Sequence, residues 1–364
     1  MRFKQGPDDA GIRGSDMSKG KKRFLVILAV LLALGGGAGY FFYNWIYGSN
    51  VFLNGKKSVV VFIKTGSTYD DVLEILREQN ILKDEKSFDW VAKEKKYKEN
   101  VKPGRYRIMA SMSNAELVNM LRAGNQEPVT LAFTNIRTKA QLAGRVGRTL
   151  EADSVEFLKM LNDGEFLSSK YGMNTDNILT LFIPNTYEFY WNTSGEDFLK
   201  RMAKEYKSFW SQERKEKLKR IGLTQTQVSI LASIVQEEQS VYPDERACIA
   251  GLYMNRIEKG MKLQSDPTVK YALGDFSVKR ILNKDLEIDS PYNTYKYEGL
   301  PPGPICVPEI SSLDAVLNYD KNGFLYMCAK EDFSGRHNFS KTLEQHLIYA
   351  RKYQQALNER NIHR

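Results

Sequence analysis

Glu237 and Glu238 close the stretch LASIVQEEQS, Leu231–Ser240, at the end of an apolar run with helical spacing. Adjacent carboxylates there are either the solvated end of a helix or groups that move protons, and their placement on the helix separates the two readings. Thr224 followed by Gln227 is a capping-box signal, so a helix is expected to start there and run through the pair. Measured from Glu238 at about 100° per residue, Leu231 falls near roughly +20°, Ile234 near roughly −40° and Val235 near roughly +60°. Glu238 therefore sits at the centre of the apolar arc, Glu237 lies at its edge, and Gln236 points almost directly away. A core-facing carboxyl is costly to bury charged, so it should keep its proton to higher pH, as a general acid near neutrality requires. The plainer alternative is a buried ion pair with Arg246 or Arg256.

The segments downstream favour chemistry on a sugar. GMKLQSD (260–266), PTVKY (267–271) and SPYNTYKYEGLPPGPICVP (290–308) read as loops rich in neutral hydrogen-bonding side chains. Asn255, Gln264, Ser265, Thr268, Asn293 and Thr294 are interleaved there with Tyr271, Tyr292, Tyr295 and Tyr297. Polysaccharides present hydroxyls at their edges and apolar C–H faces, which such a mixture suits. Pro301, Pro302 and Pro304, with Gly299 and Gly303, are expected to hold an extended backbone beside the groove. FIPNTYEFYW (182–191) reads as an irregular aromatic loop, either part of that groove or ordinary core. No nucleophile-elbow phrase accompanies the three histidines, and none of them has metal-ligand spacing, which disfavours a Ser/His/Asp triad and a metal site; His337 reads as structural.

The elements that must position these groups follow from periodicity. Val59–Ile63 and Val129–Phe133 read as strands, each followed by a helix, Thr68–Asn80 and Thr138–Leu150, at a separation of about 70 residues that hints at a duplicated strand–helix module. KPGRYRI (102–108) reads as a turn and strand, Ser113–Leu121 as a short helix, and 150–225 as mainly helical. Arg246–Glu258 reads as a second amphipathic helix, and Lys341–Asn361 as a terminal one. The small α+β module at 56–125 suits a glycan-binding domain of LysM type and equally a generic packing module.

Phe24–Tyr43 is uninterruptedly apolar, and no charge occurs between Arg23 and Lys56. That is long enough to cross a bilayer, and the bulky FFYNWIY that follows leaves no small-residue cleavage site, so an uncleaved anchor is expected over 24–45. Arg2, Lys4, Arg13, Lys19, Lys21, Lys22 and Arg23 outnumber Asp8, Asp9 and Asp16 in the tail 1–23, which places the N-terminus in the cytoplasm and the remainder outside. The formal charge of +9 suits an anionic surface or polymer, while this topology argues against nucleic acid. Cys248, Cys306 and Cys328 supply at most one disulfide.

Taken in order, LASIVQEEQS, NRIEKGMKLQSDPTVKYALG (255–274), SPYNTYKYEGLPPGPI (290–305) and, more loosely, FIPNTYEFYW and GRHNFSKTLEQH (335–346) resemble the YceG-like endolytic murein transglycosylases. The resemblance implies an α+β chain with a single N-terminal transmembrane helix, a small LysM-like module and a larger mixed α/β catalytic domain over 126–364. It further implies a membrane-anchored lyase that cuts peptidoglycan glycan strands internally between MurNAc and GlcNAc, leaves 1,6-anhydroMurNAc ends, and works on nascent strands during wall assembly. A noncatalytic wall-binding scaffold is the alternative. The family's catalytic acid is the second of an E-x-E phrase, which falls on Glu238, with Gln236 standing where many relatives carry the first acid. The expected substrate contacts are Asn255, Gln264, Asp266, Thr268, Tyr271, Tyr292, Asn293, Thr294 and Tyr295, with Asp266 serving loop structure or substrate contact before any acid–base role. No cofactor or metal is implied; the expected partners are glycan strands, the cytoplasmic (inner) membrane and, as candidates, cell-wall synthases.

Overall fold

The computed structural model describes residues 18–133, 136–278 and 280–360, so the tail residues Arg2, Lys4, Arg13, Asp8, Asp9 and Asp16 lie outside the described residues, as does Asn361. The chain divides into two compact units, Met1–Glu127 and Pro128–Arg364.

The first unit begins with helix α1 (Lys19–Tyr47), which is long and apolar enough to cross a membrane and is not buried. Strand β1 (Ser58–Ile63), helices α2 (Tyr69–Glu78) and α3 (Glu85–Glu94), strand β2 (Gly104–Met109) and helix α4 (Asn114–Ala123) follow. The two strands pair antiparallel from Ser58 opposite Met109 to Ile63 opposite Gly104. Alternation turns Val61, Ile63, Tyr106 and Ile108 onto a core shared with Leu76, Phe88 and Leu117. Capping boxes at Thr68/Asp71 and Ser113/Glu116 start α2 and α4. A buried polar knot closes the unit: Asn50 Nδ2 donates to Asn114 Oδ1 (2.8 Å), and Asn114 Nδ2 donates to Ser87 Oγ and to the Trp45 carbonyl (2.9 Å each). The end of α1 is thereby tied in, with Phe42 and Trp45 seated on Trp90 at ring separations of 5.7 and 6.2 Å.

The second unit opens on a similar plan, strand β3 (Val129–Ala132), helices α5 (Lys139–Thr149), α6 (Ser154–Met160) and α7 (Gly164–Tyr171), and strand β4 (Thr186–Phe189), which pairs antiparallel with β3. Thus FIPNTYEFYW is not an irregular loop. Tyr187 and Phe189 alternate inward from Thr186 onward and join Phe133, Phe182 and Phe198 in the core, a strand signal that Pro184 and Asn185 obscure in the sequence. Helices α8 (Gly195–Phe209), α9 (Gln212–Ile221), α10 (Gln225–Glu238), α11 (Arg246–Glu258), α12 (Asp266–Leu273) and α13 (Ile310–Leu317) follow, then strands β5 (Tyr326–Ala329) and β6 (His337–Ser340), paired antiparallel, and helix α14 (Leu343–Glu359).

α10 starts at the Thr224/Gln227 capping box and is buried from Val228 through Gln236 on every side. A helix packed all round has no solvent face, so the expectation that Gln236 points away from the core fails. Its Oε1 accepts from the Glu309 amide (2.6 Å) and Ser312 Oγ (3.1 Å), satisfying it at the packed boundary with α13. Two loop expectations also change. PTVKY lies within α12, which Pro267 opens, proline being tolerated in a first turn where the missing N–H is not needed. The proline strap 301–308 is largely buried: Ile305 N donates to Ser233 Oγ (3.0 Å) and Val307 N to the Ile136 carbonyl (2.7 Å), so it braces α10 as core. The three cysteines are free thiols.

Candidate active site

Glu238 is the last residue of α10, where the helix leaves the core. α11 packs beside it and delivers the buried Tyr253, whose hydroxyl donates to Glu238 Oε1 at 2.6 Å. Ser265, which caps α12, donates from Oγ to the same oxygen at 2.5 Å. Both donors meet Oε1, and no hydrogen bond among the described residues reaches Oε2, the oxygen left open to the cavity's contents. Neither Arg246 nor Arg256 pairs with Glu238. Arg246 is bound to Glu309 (2.9 Å) and the Gln239 carbonyl (2.9 Å), and Arg256 to the carbonyls of Leu325 (2.7 Å) and Leu263 (2.5 Å).

Desolvation pushes the Glu238 carboxyl above the ordinary glutamate value, and the Asp266 charge adds to the rise. The Ser265 and Tyr253 hydrogen bonds and the nearby His337 pull the other way. Tyr253 is raised well above an ordinary phenol, first by burial and then by the Glu238 charge. Glu237 differs from its neighbour in being ion-paired to Arg137 at 3.0 Å at the margin of the unit.

Glu238 lines a cavity of about 230 Å³ with Tyr253, Arg256, Gln264, Asp266, Tyr295 and His337. β5 supplies a further wall through Met327, Cys328 and Ala329. Gln264 takes a φ of +49° just before Ser265, a left-handed conformation uncommon for a side chain of its size. Bonds from Gln264 N to the Thr294 carbonyl (3.0 Å) and from Ser265 N to Thr294 Oγ1 (3.0 Å) hold that turn, and with it the Ser265 hydroxyl. Tyr295 OH donates to Asp266 Oδ1 at 2.6 Å, and burial followed by that carboxylate raises its own pKa.

The expected substrate contacts separate into three groups. Gln264, Asp266 and Tyr295 face the Glu238 cavity. Thr268, Asn293 and Thr294 are buried behind it: Thr268 Oγ1 donates to the Ser265 carbonyl (2.7 Å) and shares a 2.8 Å contact with Thr294 Oγ1, and Asn293 Nδ2 donates to the carbonyls of Leu286 and Ile288. Asn255, Tyr271 and Tyr292 stand elsewhere. Asn255 holds the 322–324 turn through Asn322 Oδ1 (3.2 Å) and the Phe324 carbonyl (2.9 Å), and the two tyrosine rings pack on each other at 4.7 Å.

Sequence reasoning missed Tyr253, named Ser265 among the polar loop side chains without linking it to Glu238, and gave His337 only a structural part. Ser265 carried a local signal, a serine before Asp-Pro at a helix start. Tyr253 and His337 carried none, because they arrive from separate elements. β6 turns His337 toward the cavity, where Glu245 orients it by accepting from the His337 amide (3.2 Å) and meeting Nδ1 at 3.1 Å. Glu245 is itself held by Gln239 Nε2 at 2.7 Å. Among the described residues no cluster of histidine, cysteine or carboxylate groups is arranged to hold a metal ion.

This arrangement can do chemistry with one strongly held proton. The model of the YceG-like family matches residues 61–352. The endolytic murein transglycosylase of Bacillus subtilis is 32% identical over 320 residues, covering 84% of this chain and 87% of that protein. The protein of the same name from Streptococcus pneumoniae is 31% identical over 344 residues; the match covers 85% of this chain and 61% of that longer protein. A solved YceG-like protein from Listeria monocytogenes superposes with a TM-score of 0.54 at 30% identity, covering 81% of this chain and 99% of that one. With most of its length matched by the family model and by these relatives, the chain belongs to the YceG-like family.

Proposed function

We propose that the protein is an endolytic lytic transglycosylase that cuts peptidoglycan strands between MurNAc and GlcNAc. The observation that carries this reading is Glu238, fixed through Oε1 by Tyr253 and Ser265, with its pKa raised by desolvation, lining a cavity beside polar and aromatic side chains. Glu238 gives its proton to the glycosidic oxygen as the MurNAc C1–O4 bond breaks. The carboxylate so formed takes the proton of the MurNAc 6-hydroxyl as O6 bonds to C1, so no water is consumed and the 1,6-anhydro end results. One carboxyl then serves as acid and base in turn, where a hydrolase needs two.

Asp266 in the same cavity favours one competing reading, a hydrolase in which Asp266 activates water. The Tyr295 hydroxyl bound to Asp266 and its place in the first turn of α12 support a structural or substrate-contact role instead. Digestion of purified sacculi followed by mass spectrometry decides the matter. Anhydro ends are expected from the parent, and Glu238→Gln is expected to lower their release at least about 100-fold. Products carrying only reducing ends, heavier by one water, would replace this mechanism with hydrolysis, and undiminished release by Glu238→Gln would leave a noncatalytic scaffold.

α1 is the anchor in the cytoplasmic membrane in this reading, with Lys19, Lys21, Lys22 and Arg23 on the cytoplasmic side and the chain after α1 outside. The β–α–α–β order of the first unit supports a LysM-like, glycan-binding role for 56–125, ahead of a catalytic region over 126–364. Proximity to the membrane suits work on nascent strands beside the cell-wall synthases, the candidate partners.

A further inference from the structure

A second cavity in Pro128–Arg364, of about 650 Å³, is larger than the one at Glu238 and has no part in the chemistry above. Its rim is cationic. Lys200, Lys204 and Lys207 project from one face of α8 at i, i+4 and i+7, and Lys170 of α7 and Lys215 of α9 complete it. Of these only Lys200 has carboxylate partners, Glu196 at 3.3 Å and Asp197 at 3.4 Å; the other four have none among the described residues. Like charges at this spacing repel along a helix, a cost that an anion bound between them removes. Beneath the rim the lining turns apolar and aromatic through Tyr206 and Trp210. Trp210 is almost completely buried, yet its Nε1 meets no acceptor with hydrogen-bonding geometry, although the Tyr206 hydroxyl is near enough to feel it. Gln225, the first residue of α10, also lines the cavity, so the positive end of that helix dipole adds to the field there.

We propose that this cavity is a binding site for an organic phosphate, a phosphate ester carried on a sugar or polyol. The cations are all lysines. Lysine ammonium groups bind phosphate as point charges, and no arginine fork lines the cavity to impose a planar bidentate partner. The volume is that of a small-molecule site, far more than a bare phosphate fills, and the apolar floor accommodates the carbon body of the ester. Lys204 and Lys207 neutralise the charge, and the carbon body of the ester packs on the floor formed with Tyr206 and Trp210.

The test is calorimetric titration of the full-length protein in detergent with glucose 1-phosphate, glucuronate, glucose and inorganic phosphate. Saturable binding of glucose 1-phosphate is expected, at least tenfold tighter than that of the other three. The double variant Lys204→Gln/Lys207→Gln should weaken it at least tenfold. Sacculus digestion and the melting temperature should stay at the parent level in this double variant of exposed lysines, separating failure of this site from failure of the Glu238 reading. Competition by phosphatidylglycerol vesicles, with phosphatidylcholine vesicles inert, assigns the phosphate to a lipid headgroup. Absence of competition assigns it to a soluble saccharide or polyol phosphate. Equal affinity for glucuronate, or a double variant that binds like the parent, overturns the proposal.

Discussion

Glu238 is governed by opposing pressures that a titration can separate. Burial holds the proton on, while the hydrogen bonds from Tyr253 and Ser265 favour its loss. The acid form is the one needed to protonate the leaving oxygen, so activity should be present below the Glu238 pKa and decline as pH rises through it. Removing a donor to the carboxylate raises that pKa further. In Tyr253→Phe and Ser265→Ala, therefore, the alkaline limb of the rate profile should move to higher pH, with kcat reduced about tenfold because the carboxyl is less firmly oriented. A limb that moves to lower pH, or stays in place in both variants, would remove these two residues from control of the proton. The wheel argument separated Glu238 from Glu237 correctly because it used only local geometry, and Glu237 is indeed the edge residue, paired with Arg137. It misjudged Gln236, since no wheel drawn for α10 alone can know that α13 covers the opposite face.

Among the elements, those with local punctuation were legible. The Thr224/Gln227 capping box announced α10, and Arg246–Glu258 has the bounds of α11. β4 and α12 were hidden because proline reads as a breaker; here Pro184 precedes a strand and Pro267 occupies a helical first turn. The β5–β6 hairpin, which brings Met327 and His337 to the cavity, depends on pairing and packing that leave no trace in a short window of sequence. Packing also sets the tolerance of α11. A Cβ on Gly251 would lie 2.1 Å from the Asp320 carbonyl oxygen, a backbone atom that cannot swing aside. Gly251→Ala should therefore cost about 1–3 kcal/mol in denaturant unfolding, by forcing α11 away from the 320–322 turn. Full parental stability would mean that the turn yields freely.

On the scale of the whole molecule the sequence reading divided the chain near residue 125, and the compact units divide between Glu127 and Pro128. α1 was legible from an uncharged run alone. Deleting residues 1–47 should move the protein from the alkaline-carbonate-resistant membrane fraction to the soluble one. Retention in the pellet would show that some other surface holds it there. Such a deletion also strips Phe42 and Trp45 from Trp90 and removes the Trp45 carbonyl that Asn114 binds, because no slack tether separates α1 from the unit it precedes. Of its 29 residues, the apolar run Phe24–Tyr43 is about 30 Å long, matching roughly 30 Å of hydrocarbon, so a thinner bilayer is met by tilting. In the anchored reading proposed above, this close attachment passes any tilt of α1 on to the strands and helices that follow it, so lipid chain length becomes a setting for their attitude.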